Sequence, residues 1–360
     1  MPNKQLKCLI LEDYSGFGVT LKKSLIHSGC TVKLLSTTDK YSREGDIDYL
    51  IKPRSVGLIS KVELRIRFLM KLPFLVSYDV VLITNQSIIF KGISWLVLSW
   101  LSFFNRTIFL SVCGMDSVTF RSSFMSNFKY FRNNDLLSKE RNKRYNSRWD
   151  QAIIKSIVSR SSRVIPITYE YAEGWRQSEY SNFLGPTIPL PFYSPVCAET
   201  VNNSNKKIHF YHGLSREDKG SDLIVKAFDK CNKKYSSVAF FEIGERLPLS
   251  EFIKKIQSID VLVDQCTAAS YGSMTTLLGM SLGKVVMTQN ASQALLEYNL
   301  DSAPVITIEN SVESIVNAIS YVLDSVDIKQ LGEEAKVFVD TFHAPSKIAE
   351  RYLTVFHQYL

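Results

Sequence analysis

The segment HGLSREDKGSDLIVKAF at residues 212–228 determines how the second half of the chain folds. The run that leads into it, KIHFYHG at 207–213, has the length and the apolar character of a short buried strand. A polar loop follows, and beyond Gly220 the apolar residues are Leu223, Ile224, Ala227 and Phe228. Their spacing is that of one face of a helix, so the segment predicts a strand, a loop and a helix in succession.

The same alternation extends through the whole sequence. Short apolar runs predict strands at 6–11, 31–35, 78–84, 107–112, 162–168, 207–213, 237–244, 260–265, 284–288 and 304–308. Helical patterns separate them at 19–28, 91–104, 219–234, 249–258, from about 274 onward, 311–324, 328–340 and 346–359. Runs of Val, Ile and Leu without polar alternation are typical of parallel strands buried on both faces. The predicted fold class is therefore α/β, with two Rossmann-like β/α/β domains and a cleft between them.

A Pro-rich stretch separates the two series of strands. It is LGPTIPLPFYSP at 184–195, and polar residues follow at 201–207. Proline stiffens the chain and cannot donate to a sheet, so this stretch predicts a linker. We expect a first domain at 1–185, a linker at 186–205, a second domain at 206–345 and a final helix at 346–360.

The net charge of +8 is unevenly distributed along the 360 residues. Residues 1–163 carry +14 and residues 164–360 carry −6, which indicates two units with different partners. Hydrophobic residues make up 45% and charged residues 22%, and these values of an ordinary globular chain exclude disordered and fibrous architectures.

The cysteines and the apolar segments indicate in which cellular compartment the protein is expected. The six cysteines include no CxxC pair, which argues against zinc sites and a disulfide framework and favours a reducing cytoplasm. The N-terminal apolar run is too short for a signal peptide. The apolar segment 92–104 is shorter than the roughly 20 residues of a membrane span, so we expect a buried or interfacial helix there.

The loop after the strand at 207–213 carries candidate phosphate ligands. Arg216 offers a planar fork and Lys219 a point charge, and both suit a diphosphate at the carboxyl end of a strand. The alternative is a solvated basic loop, because Glu217 and Asp218 stand between the two cations.

A second candidate anion site lies in VDQCTAASYGSMTTLLGMSLGKVVMT at 263–288. Ser273, Thr275 and Thr276 open an apolar helix here, and the free N–H groups, the dipole and the hydroxyls at a helix N-terminus favour an anion. The alternative is an ordinary capped helix that packs through its leucines.

Together, these two segments resemble the C-terminal domain of GT-B glycosyltransferases near family four. The match is most specific for bacterial surface-polysaccharide transferases, and the residues that carry it are His212, Arg216, Lys219, Gly220, Asp264, Gln265, Tyr271 and Gly272. The resemblance implies a nucleotide-sugar donor as substrate, no other cofactor and no metal. The donor would be bound by His212, Gly213, Arg216, Lys219, Gly244, Tyr271, Gly272, Ser273, Thr275 and Thr276.

The first half adds weaker matches to the same family. Residues 14–18, with Gly16 and Gly18, stand where these enzymes place a glycine loop beside the diphosphate. Asp116 follows a strand on the acceptor side, where it would orient or deprotonate the acceptor hydroxyl. The alternative for Asp116 is a cap on the next segment. The resemblance also implies that the final helix crosses back onto the first domain.

The sequence departs from the family-four pattern at the donor site. Leu278 stands where the ribose-binding Glu is expected, and Val285 replaces the usual Pro. The ribose contact would then come from Ser273, Thr275 or Thr276, or the donor would not be a common UDP- or GDP-sugar.

The basic segment 121–163 indicates a surface partner. Lys139, Arg141, Lys143, Arg144 and Arg148 fall within ten residues, without a recognised nucleic-acid motif. We expect an anionic membrane surface rather than nucleic acid, because the aromatic residues of 95–104 supply interfacial side chains in the same domain. A solvated helix face is the alternative.

These observations predict a glycosyltransferase. It would move a sugar from a nucleotide sugar to an oligosaccharide or lipid-linked acceptor at the cytoplasmic membrane face, in bacterial lipopolysaccharide, O-antigen or capsule biosynthesis. One alternative is an NAD-dependent epimerase or reductase of nucleotide sugars, although Leu21 occupies the third glycine position of a dinucleotide loop. Another is a non-catalytic subunit of the same fold.

Overall fold

The computed structural model describes residues 5–38, 45–125, 145–195, 207–214 and 219–360. These residues form two compact units. The first contains the described residues before Phe192 together with Pro345–Leu360, and the second contains those of Phe192–Ala344.

Helices and strands alternate in both units. The first unit begins with β1 (Lys7–Leu11), α1 (Phe17–His27), β2 (Thr31–Ser36), β3 (Tyr49–Leu50), α2 (Gly57–Lys71), β4 (Val80–Ile83), α3 (Ser94–Phe104), β5 (Thr107–Val112), α4 (Ser117–Met125), α5 (Arg148–Val158), β6 (Ser161–Pro166) and α6 (Tyr169–Arg176). The second contains β7 (Ile208–Gly213), α7 (Ser221–Tyr235), β8 (Ala239–Gly244), α8 (Leu249–Gln257), β9 (Val261–Val263), α9 (Met274–Ser281), β10 (Val285–Thr288), α10 (Ser292–Glu297), β11 (Ile306–Thr307), α11 (Val312–Ser325) and α12 (Ile328–Phe342). The last helix, α13 (Pro345–His357), belongs to the first unit.

Each unit is built on one parallel sheet. The first sheet has the order β3-β2-β1-β4-β5-β6, and the second has the order β11-β10-β9-β7-β8. Every strand pair in both sheets is parallel. These are the two common doubly wound arrangements, so the prediction of two Rossmann-like domains is confirmed. The strand order reverses between β1 and β4 in the first sheet and between β7 and β9 in the second, and such reversals are where these sheets bind ligands.

Burial on both faces explains why these short runs form strands. All four residues of β4 and all three of β9 are buried, as expected for parallel strands covered by helices on each side. By contrast, five elements of the first unit were not predicted, namely β3, α2, α4, α5 and α6. The strand β3 has only two residues, and α2 buries only Phe68 among its 15 residues, so neither has the pattern of a core element.

The first residues of the Pro-rich stretch are hydrogen-bonded to the first sheet and do not form an isolated linker. The N–H of Gly185 donates to the carbonyl oxygen of Val164 at 2.8 Å, and that of Ile188 donates to Pro166 at 2.9 Å. Residues 185–188 therefore run beside β6 at the edge of the first sheet. The polar part of the predicted linker, from 196 to 205, lies outside the described residues.

The helix α3 covers the first sheet with one face only. It buries Val97, Leu98 and Leu101 and leaves Trp95 and Phe103 exposed, so it is not the fully buried helix that was one of the two expectations. Among the residues described, no helix combines the length and the apolar composition that crossing a bilayer requires.

The final helix α13 completes the core of the first unit. Tyr352 and Phe356 are fully buried, and the ring of Phe356 lies 4.9 Å from that of Phe109 on β5. The hydroxyl of Tyr352 is 3.2 Å from that of Ser111, also on β5. Against α1, the ring of Tyr352 lies 6.3 Å from Phe17. The helix therefore fills one face of the first sheet.

We predict that Phe356→Ala lowers the free energy of unfolding of the first unit by about 3–5 kcal/mol, because it leaves a cavity against Phe109. All four tryptophans of the chain lie in this unit, so their fluorescence during urea unfolding reports on it. The control is Thr354→Ala, an exposed position of the same helix, which should change stability by less than about 0.5 kcal/mol. Equal stability of the two variants would contradict this role for α13.

Candidate functional site

The strand reversal of the second sheet places several polar residues at one edge. His212 and Gly213 end β7, Asp264 follows β9 directly, and α7 and α9 begin shortly beyond these two strands. Since the strands are parallel, their carboxyl ends meet at this edge. Both helix N-termini point their free N–H groups toward it, which favours an anionic ligand.

A buried ion pair joins the two loops at this edge. The ammonium of Lys219 lies 2.6 Å from Oδ1 of Asp264, and the side chains are only 9% and 1% exposed. The two residues are 45 positions apart in sequence. The pair therefore ties the loop before α7 to the end of β9.

Hydrogen bonds complete the environment of the Asp264 carboxylate. Its Oδ2 accepts from the hydroxyls of Ser273 and Thr276, the latter at 2.9 Å. Ser273 also caps α9, since its oxygen accepts from the N–H of Thr276 at 3.0 Å. Burial raises the pKa of Asp264, but the charge of Lys219 and these hydrogen bonds outweigh burial and hold the pKa below its ordinary value. Asp264 is therefore ionised at neutral pH.

Lys219 keeps donor capacity for a ligand. Its ammonium has three N–H groups, and among the described residues Asp264 is its one hydrogen-bond partner. An anion at the start of α7 could therefore accept from the ammonium without breaking the ion pair. Arg216, the other predicted phosphate ligand, lies outside the described residues.

His212 connects the end of β9 to the start of α7 through two hydrogen bonds. Its Nδ1 lies 2.7 Å from the carbonyl oxygen of Val263, and its Nε2 lies 2.8 Å from the hydroxyl of Ser221. The carbonyl can only accept, so Nδ1 carries the proton and Ser221 donates to Nε2. Burial lowers the pKa of His212, which keeps the ring neutral. Both nitrogens are engaged within the protein, so neither is left for the donor contact that the sequence resemblance had implied for His212.

Gly220 allows the two loops of the site to approach closely. Its φ is +79°, in the left-handed region, and a Cβ at this position would collide with Sγ of Cys266. Any other residue would therefore be strained and would push the Lys219 loop away from the loop that follows β9.

The predicted donor contacts Gly213 and Gly244 have a packing role. A Cβ on Gly244 would overlap the ring and hydroxyl of Tyr211, and a Cβ on Gly213 would lie 3.3 Å from the ring of Phe252 and 3.4 Å from that of Tyr211. The two glycines pair in register at the ends of β7 and β8. They make room there for the fully buried side chain of Tyr211.

The residues that open α9 divide into buried and accessible ones. Tyr271 is fully buried, its ring lies 5.7 Å from that of Phe338, and its hydroxyl lies 3.3 Å from Nε2 of His343, so its side chain belongs to the core. Gly272 and Thr275 are half-buried and lie at the sheet edge, where they remain candidate ligand contacts. Leu278, at the position of the missing Glu, is buried in the middle of α9.

Asp116 has the geometry of a helix cap. Its Oδ1 accepts from the N–H of Thr119 at 2.7 Å at the start of α4, and its Oδ2 accepts from the indole N–H of Trp175 at 2.9 Å. The residue is only 2% exposed. Because both oxygens already accept hydrogen bonds, this carboxylate supports the capping alternative rather than contact with an acceptor hydroxyl.

Asp13, which the sequence analysis missed, lies at the strand reversal of the first sheet. It follows β1 and is 1% exposed, and its Oδ1 accepts from the N–H of Val19 at 3.1 Å. Its Oδ2 is buried and has no hydrogen-bond partner among the described residues. Burial raises the pKa of Asp13, backbone N–H groups at the start of α1 oppose this, and the Glu12 carboxylate adds to it. The acidic pair Glu12 and Asp13, which follows the first strand, was the signal available in the sequence.

The predicted glycine loop forms the turn between β1 and α1. Gly16 has a φ of +87° and precedes the helix, and a Cβ on Gly18 would lie 2.8 Å from the carbonyl oxygen of Glu12. Both glycines thus let α1 start close to the end of β1. Leu21, at the third glycine position of a dinucleotide loop, is fully buried.

Comparisons with known proteins define the class at the level of fold. No protein-family model matches the chain, and no curated protein matches it in sequence. Sucrose-phosphate synthase from Thermosynechococcus elongatus matches in structure with a TM-score of 0.66 and 13% identity, over 99% of each chain. HepE from Anabaena, in complex with UDP and glucose, matches with a TM-score of 0.63 and 10% identity, over 98% of this chain and 100% of that one.

A third similar structure comes from a different class of enzyme. UDP-GlcNAc 2-epimerase from Neisseria meningitidis, bound to UDP-GlcNAc, matches with a TM-score of 0.53 and 11% identity, over 98% of this chain and 100% of that one. At these identities the likeness establishes the fold. The chain has the GT-B fold, with two Rossmann-like domains, as the sequence resemblance implied.

We predict that Lys219→Met lowers the free energy of unfolding at neutral pH by about 3–5 kcal/mol, because Asp264 is left buried without its counter-ion. In the wild type, the lowered pKa of Asp264 gives stability above about pH 4 that is lost as the pH falls through that pKa. In the variant, burial without a counter-ion raises the pKa of Asp264. The difference in the free energy of unfolding between wild type and variant therefore grows as the pH rises above about 4.

The matched control is the double variant Lys219→Met/Asp264→Asn, which removes both charges. It should recover most of the stability and lose the added pH dependence. The second unit contains no tryptophan, so hydrogen exchange of β7 and β9 is the suitable measurement. A penalty for Lys219→Met that is the same at about pH 4.5 and 7.5 would show that the ion pair does not control this edge.

Proposed function

We propose that the protein is a glycosyltransferase that transfers a sugar from a nucleotide-sugar donor to a glycan or glycolipid acceptor. The observation that carries the proposal is the convergence of Lys219 and two helix N-termini at the strand reversal of the second sheet. The fold adds support, because three proteins of similar structure were solved with UDP or a UDP-sugar.

The donor diphosphate is the proposed ligand of this edge. Negative charge grows on the departing phosphate as the sugar leaves, so fixed positive charge and N–H donors stabilise the transition state. Lys219 supplies its unengaged N–H groups, and the first turns of α7 and α9 supply backbone N–H groups. Arg216 adds a second cation in the same loop of the sequence. Asp264 holds Lys219 in position.

The sugar and ribose contacts are assigned to the accessible residues near α9. Gly272 and Thr275 are half-buried at this edge, and the hydroxyl of Thr275 has no hydrogen-bond partner among the described residues. A threonine hydroxyl can donate to or accept from a ribose hydroxyl, which replaces the role of the missing Glu. UDP is the first donor nucleotide to test, since two proteins of similar structure were solved with UDP bound.

On the acceptor side we propose Asp13 in place of Asp116. A proton acceptor needs a free oxygen, and Oδ2 of Asp13 has no partner among the described residues whereas both oxygens of Asp116 are bonded. The raised pKa of Asp13 brings it nearer to neutral pH, which suits general-base catalysis. We propose metal-independent hexosyl transfer, with no cofactor other than the donor substrate.

The proposed setting is bacterial lipopolysaccharide, O-antigen or capsule biosynthesis at the inner face of the cell membrane, and it rests on the sequence resemblance alone. The acceptor would be an oligosaccharide or a lipid-linked glycan. The basic segment 121–163 was predicted to contact the membrane, and four of its five clustered cations, Lys139, Arg141, Lys143 and Arg144, lie outside the described residues.

A second candidate function is epimerisation of a nucleotide sugar. The specific observation is the structural match to a UDP-GlcNAc 2-epimerase across almost the whole chain. A reaction of this class needs no acceptor, whereas transfer does. An NAD-dependent enzyme would need the loop at 16–18 to bind the dinucleotide. Leu21, which is fully buried, occupies the third glycine position that such a loop requires, and this disfavours NAD.

We predict that a nucleoside diphosphate, UDP first, raises the thermal stability of the protein. At a concentration 100-fold above its dissociation constant, the gain is about 2.7 kcal/mol. Arg216→Ala and Lys219→Ala should each reduce this ligand-induced gain, measured against the melting temperature of the same variant without ligand. The control is Lys226→Ala, an exposed lysine on α7, which should respond like the wild type. If no nucleotide in a panel of UDP, GDP, ADP, TDP and CMP stabilises the wild type, the donor-site assignment fails.

We also predict that Asp13→Asn lowers kcat by about 100-fold or more with little change in the donor KM. Asp116→Asn should instead lower the melting temperature, because it weakens the cap on α4 and the bond to Trp175. The measurement is acceptor-dependent release of the nucleoside diphosphate, with the sugar products followed by NMR. Wild-type kcat in Asp13→Asn would exclude it as the base, and a C2 epimer formed without acceptor would favour the epimerase.

A further inference from the structure

The helix α2 presents apolar side chains to solvent. Leu58, Val62, Ile66 and Met70 recur every four residues, so they share one side of the helix, and they are 80%, 54%, 52% and 68% exposed. Trp95 and Phe103 on α3 are 72% and 80% exposed. We call these six residues the α2–α3 face. Exposed apolar side chains in such number mark an interaction site.

The two helices lie side by side. The guanidinium of Arg65 on α2 donates to the carbonyl oxygen of Lys91 at 2.9 Å, just before α3 begins. Near the other end, the indole N–H of Trp100 donates to the carbonyl oxygen of Leu72 at 2.8 Å, just after α2 ends. Phe68, Val97, Leu98 and Leu101 belong to one hydrophobic core cluster, so both helices cover the same face of the first sheet.

The surroundings of the α2–α3 face are strongly basic. The segment 52–106 contains eight basic and two acidic residues, a net charge of +6. Glu63, the one acidic residue of α2, is paired with Arg67 at 2.7 Å and accepts from the backbone N–H groups of Arg54 and Ser55. Lys91 is paired with Asp150 at 2.6 Å. Four of the eight basic residues, Lys61, Arg65, Arg67 and Lys71, lie on α2 itself, so positive charge lies beside the exposed apolar side chains of that helix.

This combination matches an anionic lipid surface. Apolar and aromatic side chains on a helix bury themselves at the boundary between headgroups and acyl chains, and neighbouring cations attract anionic headgroups. A second copy of the chain fits less well. A symmetric dimer would place the same basic surface against itself, and like charges at an interface repel.

We propose that the α2–α3 face docks the protein on an anionic lipid membrane. The contact is carried by residues other than the basic segment 121–163, and it goes beyond the proposed transfer reaction because it holds for any donor sugar. Binding in the plane of the interface would leave the helices on the first sheet, with the exposed side chains inserted among the lipids.

The test is sedimentation of the full-length protein with lipid vesicles. We expect the wild type to bind phosphatidylcholine vesicles that contain about 30% phosphatidylglycerol at least tenfold more tightly than vesicles of pure phosphatidylcholine. Binding should weaken by about tenfold or more in each of two double variants, Leu58→Ser/Met70→Ser and Trp95→Ala/Phe103→Ala. Lys61→Glu should also weaken binding, and its effect should be largest at low salt, where charges are least screened. The matched control is Leu296→Ser/Val337→Ser, which alters residues of the second unit that are 72% and 60% exposed.

Circular dichroism and melting temperatures establish that each variant is folded. A spectroscopic measurement then localises the contact. In a Trp149→Phe background, which removes the other strongly exposed tryptophan, vesicles with brominated acyl chains should quench Trp95, and the further change Trp95→Phe should abolish that quenching.

Three results would overturn the proposal. The first is equal binding to neutral and anionic vesicles, or none to either. The second is wild-type binding by both apolar double variants. The third is a mass in light scattering that corresponds to a dimer for the wild type and a monomer for the apolar variants, without vesicle binding, which would assign the face to self-association. Transferase activity on a soluble acceptor is expected to be unchanged in the face variants, so failure here is separable from failure of the proposed reaction.

Discussion

A lysine and an aspartate buried together, Lys219 and Asp264, hold the loops and helix starts of the second unit in one arrangement. Burying two charges is costly unless each is paired and hydrogen-bonded, and here Asp264 also accepts from Ser273 and Thr276. Ser273 also caps the start of α9, and the missing Cβ of Gly220 lets the Lys219 loop approach Cys266 closely. Since the charges of Lys219 and Asp264 sum to zero, the net positive potential at this edge comes from the N-termini of α7 and α9.

The fold was predictable because its signals are local. Strands such as β4 and β9 are continuous apolar runs buried on both faces, and helices with one apolar face stand between the strands. Two of the elements that were not predicted, β3 and α2, have clear physical reasons. β3 is too short to show a period, and the apolar stripe of α2 faces solvent, so neither contributes a core pattern. The sheet order itself depends on contacts that no local pattern contains.

The position of the candidate site was predictable, but the roles of its residues were less so. Strand ends and helix starts mark the sheet edge, which is why Lys219 and Ser273 were identified. Whether a polar side chain faces a ligand or a neighbour depends on residues far away in sequence. Asp116 meets Trp175 59 positions later, and Tyr271 meets His343 72 positions later. With these partners, Asp116, a predicted catalytic residue, caps a helix, and Tyr271, a predicted donor contact, packs in the core.

The placement of α13 has a consequence for how the chain is made. The first unit is discontinuous, since its β5 residues Phe109 and Ser111 pack against Phe356 and Tyr352, more than 200 residues further along the chain. During synthesis, the whole of the second unit emerges from the ribosome before this helix does. The part of the first sheet that α13 covers, at Phe109 and Ser111, is therefore left without this helix until the second unit has been synthesised.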